Sequence, residues 1–250
     1  MFQRITDIFK RQSSIPRGYG VTELPIQVFQ GKQPLKTSEF KTILNDVFLP
    51  KITALGFRGK DFYFFRQTEI YTEVVFFWTY KTGGAIQVDL LVKFNNIIYP
   101  DDKPPILLNS IRPDNAEFQK RLSPNGEKNK NGQEVWFWVF ADNLKDNIAI
   151  AEDIWRVFSI RGLQFFDHFK KHQQYIARVT ADNYLNFPAF FLQRFFGRYE
   201  VGIIYFLFDY WRQMQDKIRA KEFAKLGVIK FGDKYPAYVK VFDEYLKGQN

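Results

Sequence analysis

The chain has no cysteine among its 250 residues, which excludes disulfides, thiolate metal centres and a cysteine nucleophile together. It has only two histidines, so a metal would have to rest on these and on carboxylates. No apolar run approaches the roughly 20 residues that a membrane-crossing helix needs. The longest, Val201 to Phe208, stops at Asp209. Residues Met1 to Ser14 set Arg4, Asp7, Lys10 and Arg11 among single apolar residues, without the continuous apolar stretch of a signal peptide. The expected location is therefore the cytoplasm. A Gly-x-Ser-x-Gly elbow is absent, and Gly18-Tyr19-Gly20 and Gly83-Gly84 are too short for a phosphate loop and read as turns. No catalytic residue, metal ligand or cofactor is assigned.

What the chain has in abundance is aromatic rings: 29 Phe, 13 Tyr and 5 Trp, or 19% of residues. Each buries on the order of 150–250 Å², so core filling is the first reading and a stacking surface the second. Charged residues make up 25% and hydrophobic residues 46%, which is ordinary globular composition. The formal charge of +9 is uneven. Residues 1–37 hold six Lys/Arg against two Asp/Glu, residues 38–172 hold 18 against 17, and residues 173–250 hold 12 against eight. Such an excess suits an acidic partner, although net charge bears first on solubility.

Pattern divides the chain into an arm, a mixed core and a helical tail. Residues 1–37 carry Pro16, Gly18, Gly20, Pro25, Gly31 and Pro34, which break any long helix. From Ser38, Phe40, Ile43, Leu44, Val47, Phe48, Ile52 and Leu55 recur at helical spacing. Thr37 or Ser38 is expected to cap this helix, Pro50 to kink it and Gly56 to close it. Strands are predicted at Asp61–Arg66, Ile70–Lys81 and Ala85–Phe94, forming an antiparallel meander. A Gly83-Gly84 hairpin would pair Thr82 with Ala85. That register puts Val75, Phe77, Val88, Leu90, Val92 and Phe94 on a core face. On the other face it sets Trp78 across from Asp89, Tyr80 across from Gln87 and Val74 across from Lys93.

Further along, the Pro-rich stretch 95–133 reads as an irregular connection with one short helix near Ala116–Leu122, and Val135–Phe140 as a strand covered on both faces. Asp142 or Asn143 caps a helix carrying Leu144, Ile148, Ala151, Trp155 and Phe158, which Gly162 breaks before a shorter one with Phe165, Phe166 and Phe169. Helices are expected over 189–196, 199 to about 220 and 236–247, punctuated by Pro188, Gly197, Gly227, Gly232 and Pro236.

The order of features carries a resemblance. Ser38-Glu39-Phe40 opens a helix, Leu55-Gly56-Phe57 follows with Arg58 and Lys60, and Phe62-Tyr63 leads into an aromatic hairpin. Ser110-Ile111-Arg112, Trp136-Phe137-Trp138 and Gly162-Leu163 before Phe165-Phe166 and Phe169 come in the same order. Over roughly residues 38–185 this resembles the bacterial domain-of-unknown-function family 4304. The resemblance implies an order of elements, and it brings no activity, cofactor or site residues. The arm and a helical tail of about 65 residues depart from a minimal member.

The fold class expected is α+β: an antiparallel sheet of about four or five strands, an N-terminal helix and a helical C-terminal half. The domain reading is an arm at 1–37, a core at 38–185 and a helical extension at 186–250 packed on that core. Two surfaces are candidates. One is the mixed sheet face of Phe76, Trp78, Tyr80, Gln87, Asp89 and Lys93, either a ligand surface or a face covered by the C-terminal helices with the Trp78 indole donating to Asp89. The other is a basic tract of Arg212, Lys217, Arg219, Lys221 and Lys225. On a single helix, Ile203, Leu207, Trp211, Met214 and Ile218 would share an apolar stripe with Arg212 and Arg219 on the far side, while Lys221 and Lys225 fall back inside the apolar sector, so beyond Ile218 the helix would either end or project past the body. His168 and His172, four apart, would share a helix face, and a solvated face is the plainer reading. The function expected is a non-catalytic binding or accessory protein, such as an immunity-type partner of another protein. The alternatives are an enzyme with a pocket at Trp78 and Asp89, and nonspecific nucleic-acid binding through the basic C-terminal helix.

Overall fold

The computed structural model describes residues 35–79, 83–102, 107–124, 136–186 and 200–248. The expected arm up to residue 34, the pairings of Tyr80 and Thr82, and the helix at 189–196 lie outside them. Six strands form one antiparallel sheet: β1 (Arg58–Lys60), β2 (Tyr63–Gln67), β3 (Tyr71–Thr79), β4 (Ala85–Phe94) and β5 (Phe118–Arg121) in that order, with β6 (Trp138–Val139) also paired to β4. Together with an N-terminal helix and a helical C-terminal half, this is the α+β class. The sheet residues expected on the core face, Val75, Phe77, Val88, Leu90, Val92 and Phe94, are all buried. The chain divides into two compact units. The first draws on Met1–Arg66, Val75–Leu90 and Arg121–Gln164, and the second on Gln67–Val74, Leu91–Lys120 and Phe165–Asn250.

In the first unit, helix α1 (Thr37–Val47) starts where the Glu39 carboxylate accepts from the Lys36 N–H at 2.9 Å. Neither Thr37 nor Ser38 is the cap, because an acidic residue in the first turn can reach back to an orphan donor. The proline expected to kink this helix instead sits in the first turn of a second one, α2 (Leu49–Ala54), where its missing N–H costs nothing. Phe48, at the joint, meets the rings of Phe64, Phe77, Trp155 and Phe158 at centroid distances of 5.4–5.5 Å. Gly56, at φ +83°, closes the segment as expected.

The β6 strand is far shorter than the run predicted for it. Trp138 is buried there, and its indole donates to Asp153 at 2.8 Å. Helix α3 (Leu144–Val157) is capped by Asn143, whose side chain accepts from the Asp146 N–H. Its buried face is Asn147, Ile150, Ala151, Ile154 and Val157, so Leu144 and Ile148 are exposed. The buried Asn147 amide donates to the carbonyls of Ala141 and Asn143 and accepts from the Ala141 N–H, fixing the chain's entry to the helix. Gly162 does not break this helix. A π-turn over Phe158–Gly162 leads directly into α4 (Leu163–Phe169), with Gly162 lying against the Phe158 ring.

The second unit is held by aromatic contacts around Phe94, whose ring meets Phe118 at 6.1 Å and Phe206 at 5.0 Å. The helix expected near Ala116–Leu122 is the strand β5, because ladder partners on β4 outweigh a weak local preference for helix: Glu117 donates its N–H to Val92. Beyond α4 a turn at Lys170 and Lys171 separates His168 from His172, which begins the short α5 (His172–Ile176). The two histidines therefore lie on different helices. The tail helix expected to run to about 220 stops as α6 (Glu200–Gln213). Gln215 then takes φ +60°, and Asp216 caps α7 (Lys217–Phe231) by accepting from the Arg219 N–H. Gly227, expected as a break, lies inside α7, where only a residue without Cβ admits the Phe242 ring of α8 (Pro236–Lys247).

Candidate functional site

The outer face of the sheet in the first unit follows from strand alternation. Phe64, on the inner face, is fully buried and pairs with Gly59, so Tyr63 and Phe65 on either side of it point outward. Their partners across the pair are Lys60 and Arg58, which therefore share that outer face. On β3 the inner residue Phe77 meets Phe64, while Phe76 turns outward to Tyr63 at 6.2 Å and to Trp78 at 5.0 Å. The result is a contiguous row of rings, Phe65, Tyr63, Phe76 and Trp78, each partly exposed, with Trp78 at 43%.

One end of the row is polar. Asp89 on β4 is fully buried, and its Oδ2 accepts from the Trp78 indole at 2.7 Å. Arg121 of β5 grips the same carboxylate through Nε to Oδ1 at 2.8 Å and Nη2 to Oδ2 at 3.2 Å. Which end of an amide is oxygen is settled by its partners. With its oxygen toward the guanidinium, Gln87 accepts from Nε and Nη2 of Arg121 at 2.7 Å each. The charge on Asp89 is thus neutralised by a bidentate partner, and both oxygens are engaged.

The other end carries Arg58 and Lys60, both exposed on β1. Neither forms an ion pair with a described residue. The adjacent Asp61 is bound to Asn45 at 3.0 Å and to Lys41 at 3.4 Å, and these partners hold its carboxyl below the usual range. Gly59 between the two cations sits at φ +120°, with the Tyr63 carbonyl where a Cβ would be, so the edge strand requires glycine.

Of the residues singled out in the sequence, Phe76, Trp78, Gln87 and Asp89 are gathered on this face, with the indole bond to Asp89 in place. Tyr80 is outside the described residues. Lys93 belongs to the second unit, where it is buried and bonded to Glu117 at 2.5 Å and to the Ile97 carbonyl at 3.0 Å, under the Tyr99 ring at 5.0 Å. Glu117 also accepts from the Phe94 N–H, so this ion pair is internally satisfied and offers no ligand donor. Arg121, Arg58, Lys60, Tyr63 and Phe65 were not singled out as site residues. A basic dipeptide spacing at Arg58 and Lys60 was legible, but only strand pairing shows which side it faces.

The basic tract is divided between two helices. Arg212 ends α6 bound to the buried Asp209 at 2.5 Å, and Arg219 on α7 lies over the Trp211 ring at 4.3 Å. Lys217 and Lys225 are exposed and Lys221 is half-buried. With the helix broken, Met214 and Ile218 leave the apolar stripe and are exposed. A second polar cluster joins Tyr184, Glu200 and Lys230: Tyr184 donates to Glu200, and Lys230 donates to Tyr184 at 2.6 Å and pairs with Glu200 at 2.7 Å. Burial would raise the Glu200 pKa, but hydrogen bonds from Lys230 and Tyr184 hold it below normal, and Glu200 in turn raises that of Lys230. Each member satisfies the others.

His172 is buried among Tyr71, Phe94 and Tyr210, its ring 5.6–6.0 Å from theirs and nearly perpendicular to each. Its Nδ1 donates to the Phe169 carbonyl at 2.7 Å, which leaves Nε2 unprotonated and without a partner. The solvated helix face expected for it is overturned, because the turn after α4 swings it into the aromatic cluster. Among the described residues no group of three or more His, Asp or Glu converges as a metal site, and no helix is long and apolar enough to cross a membrane. No protein family, curated protein or solved structure matches this chain.

Proposed function

We propose that this protein is a non-catalytic binding protein whose ligand lies on the outer sheet face of the first unit. The supporting observation is the pairing of an open aromatic row with a closed polar group. Tyr63, Phe65, Phe76 and Trp78 keep part of their surface in water, whereas Asp89, the buried carboxylate beside them, has both oxygens occupied by Trp78 and Arg121. A general acid or base must exchange a proton with a substrate, and a carboxylate locked to a guanidinium is poorly placed for that. Large rings with polar rims are what recognition surfaces use. An accessory or immunity-type protein partner is one ligand that fits such a face.

The test is capture from the native host with wild-type protein and with Trp78→Ala, at matched expression and melting temperature. A stoichiometric partner, protein or nucleic acid, retained by the wild type and lost by the variant is expected. Equal recovery by both, or repeated recovery of nothing, would count against the reading.

A further inference from the structure

We propose that the outer sheet face binds single-stranded nucleic acid, with bases on its rings and phosphates on Arg58 and Lys60. The inference rests on the proposal that this face is the binding surface, and it names the chemistry of the ligand.

Charge and apolar surface are arranged side by side there. The register of β1 on β2 puts Arg58 level with Phe65 and Lys60 level with Tyr63, so each cation stands beside a ring on one face. Both cations lack an ion-pair partner among the described residues; the neighbouring Asp61 is bonded to Asn45 and Lys41, and the charge of Lys60 also helps to hold its carboxyl low. At the far end the buried Asp89 is balanced by Arg121, so its charge does not stand unopposed against an anionic ligand. The chain as a whole is at +9. A ligand that meets both features must present flat apolar surfaces at short intervals and a negative charge alongside. Successive ring centroids here lie 5.0–6.2 Å apart with planes inclined by 48–77°, so each ring offers its own surface rather than part of one platform, and splayed, unstacked bases on a phosphate backbone supply that combination.

Duplex is disfavoured, because its base faces are already stacked and cannot reach the rings. Sequence selectivity is expected to be slight, since every base has a π-face. The basic tract is the weaker place for such binding: Arg212 and Arg219 are engaged by Asp209, Asp216 and Trp211, and no aromatic row is described beside its lysines.

The experiment measures binding of labelled oligo-dT and oligo-U of about 12 nucleotides, and of a duplex of the same length, by fluorescence anisotropy from about 20 mM salt upward. Single strands are expected to bind more tightly than duplex and to quench Trp78. Trp78→Ala should weaken binding roughly 5- to 150-fold, while Trp78→Phe, which keeps a ring, should retain most of the affinity. Arg58→Gln with Lys60→Gln alters two exposed side chains outside the core. It should flatten the slope of log affinity against log salt by about 1.4, or ~0.7 for each phosphate that is no longer neutralised.

Failure of wild-type protein to bind either oligonucleotide at low salt would overturn the ligand class. If Trp78-dependent capture of a protein then succeeds, the binding face stands with a protein as its ligand. Binding that survives Trp78→Ala and the Arg58/Lys60 pair but is abolished on changing Lys217, Lys221 and Lys225 to Glu would also overturn the proposal, by placing the nucleic acid on α7.

Discussion

His172 shows how a single buried group ties stability to pH. Desolvation lowers its pKa from the ordinary value near 6.5, and the Phe169 carbonyl only partly opposes this. The titratable groups facing it are Tyr71 of β3 and Tyr210 of α6, and burial pushes Tyr210 up to about 12, so Tyr210 stays neutral across the useful range. Above pH 6.5 the histidine is neutral in both folded and unfolded chains and contributes no pH dependence. As pH falls through 6.5 the unfolded chain takes up a proton that the folded one resists, so stability drops and levels off only below the folded pKa. The slope for one such proton is at most about 1.4 kcal/mol per pH unit. Comparing the pH profiles of melting temperature for wild type and His172→Phe isolates this contribution. An identical pH dependence for the two proteins would show that His172 is not the group responsible.

Packing between elements depends on residues too small to leave a hydrophobic signature. Gly227 of α7 lies against Phe242 of α8, and an added Cβ would come within 2.3 Å of the ring. Phe242 is fully buried and in ring contact with Tyr205 and Phe208 of α6, so it has little room to retreat. The gain in helix propensity from Gly227→Ala is about 1 kcal/mol, whereas overpacking a filled core costs roughly 1–3 kcal/mol. The clash is expected to win. Thermal denaturation should show a lower midpoint for Gly227→Ala; a rise would mean that α8 shifts freely and that the close approach is not required.

At the scale of the whole molecule, β4 is the element that distinguishes this sheet from a simple meander. All ten of its residues are buried, polar ones included, and it pairs with β6 as well as lying between β3 and β5. Its polar members survive burial only because each is matched: Gln87 by Arg121, Asp89 by Arg121 and Trp78, and Lys93 by Glu117. Amides in such a strand open only with large-scale unfolding. Native-state hydrogen exchange should therefore find the Ala85–Phe94 amides among the slowest, and those of the three-residue edge strand β1 among the fastest. Rapid exchange along β4 would contradict this placement.

The α+β class, the three central strands, the Asn143 cap and the helix at 236–247 were legible because each is set by a local pattern: alternation, a cap residue, or a proline at the helix start. The bond from Trp78 to Asp89 was also within reach, since neighbouring strands bring alternating residues together. Other features depended on contacts far apart in sequence. The chain around Ala116–Leu122 has no strong preference of its own, and hydrogen-bond partners on β4 made it a strand. Gly162 and Gly227 read as breaks because glycine weakens a helix, but in the folded protein each makes room for a phenylalanine ring. The outer sheet face was half visible for the same reason. Its aromatic residues could be counted in the sequence, whereas the burial of Lys93, the arrival of Arg121 at Asp89 and the placing of Arg58 and Lys60 beside Phe65 and Tyr63 were decided by tertiary pairing, which sets what each side chain meets.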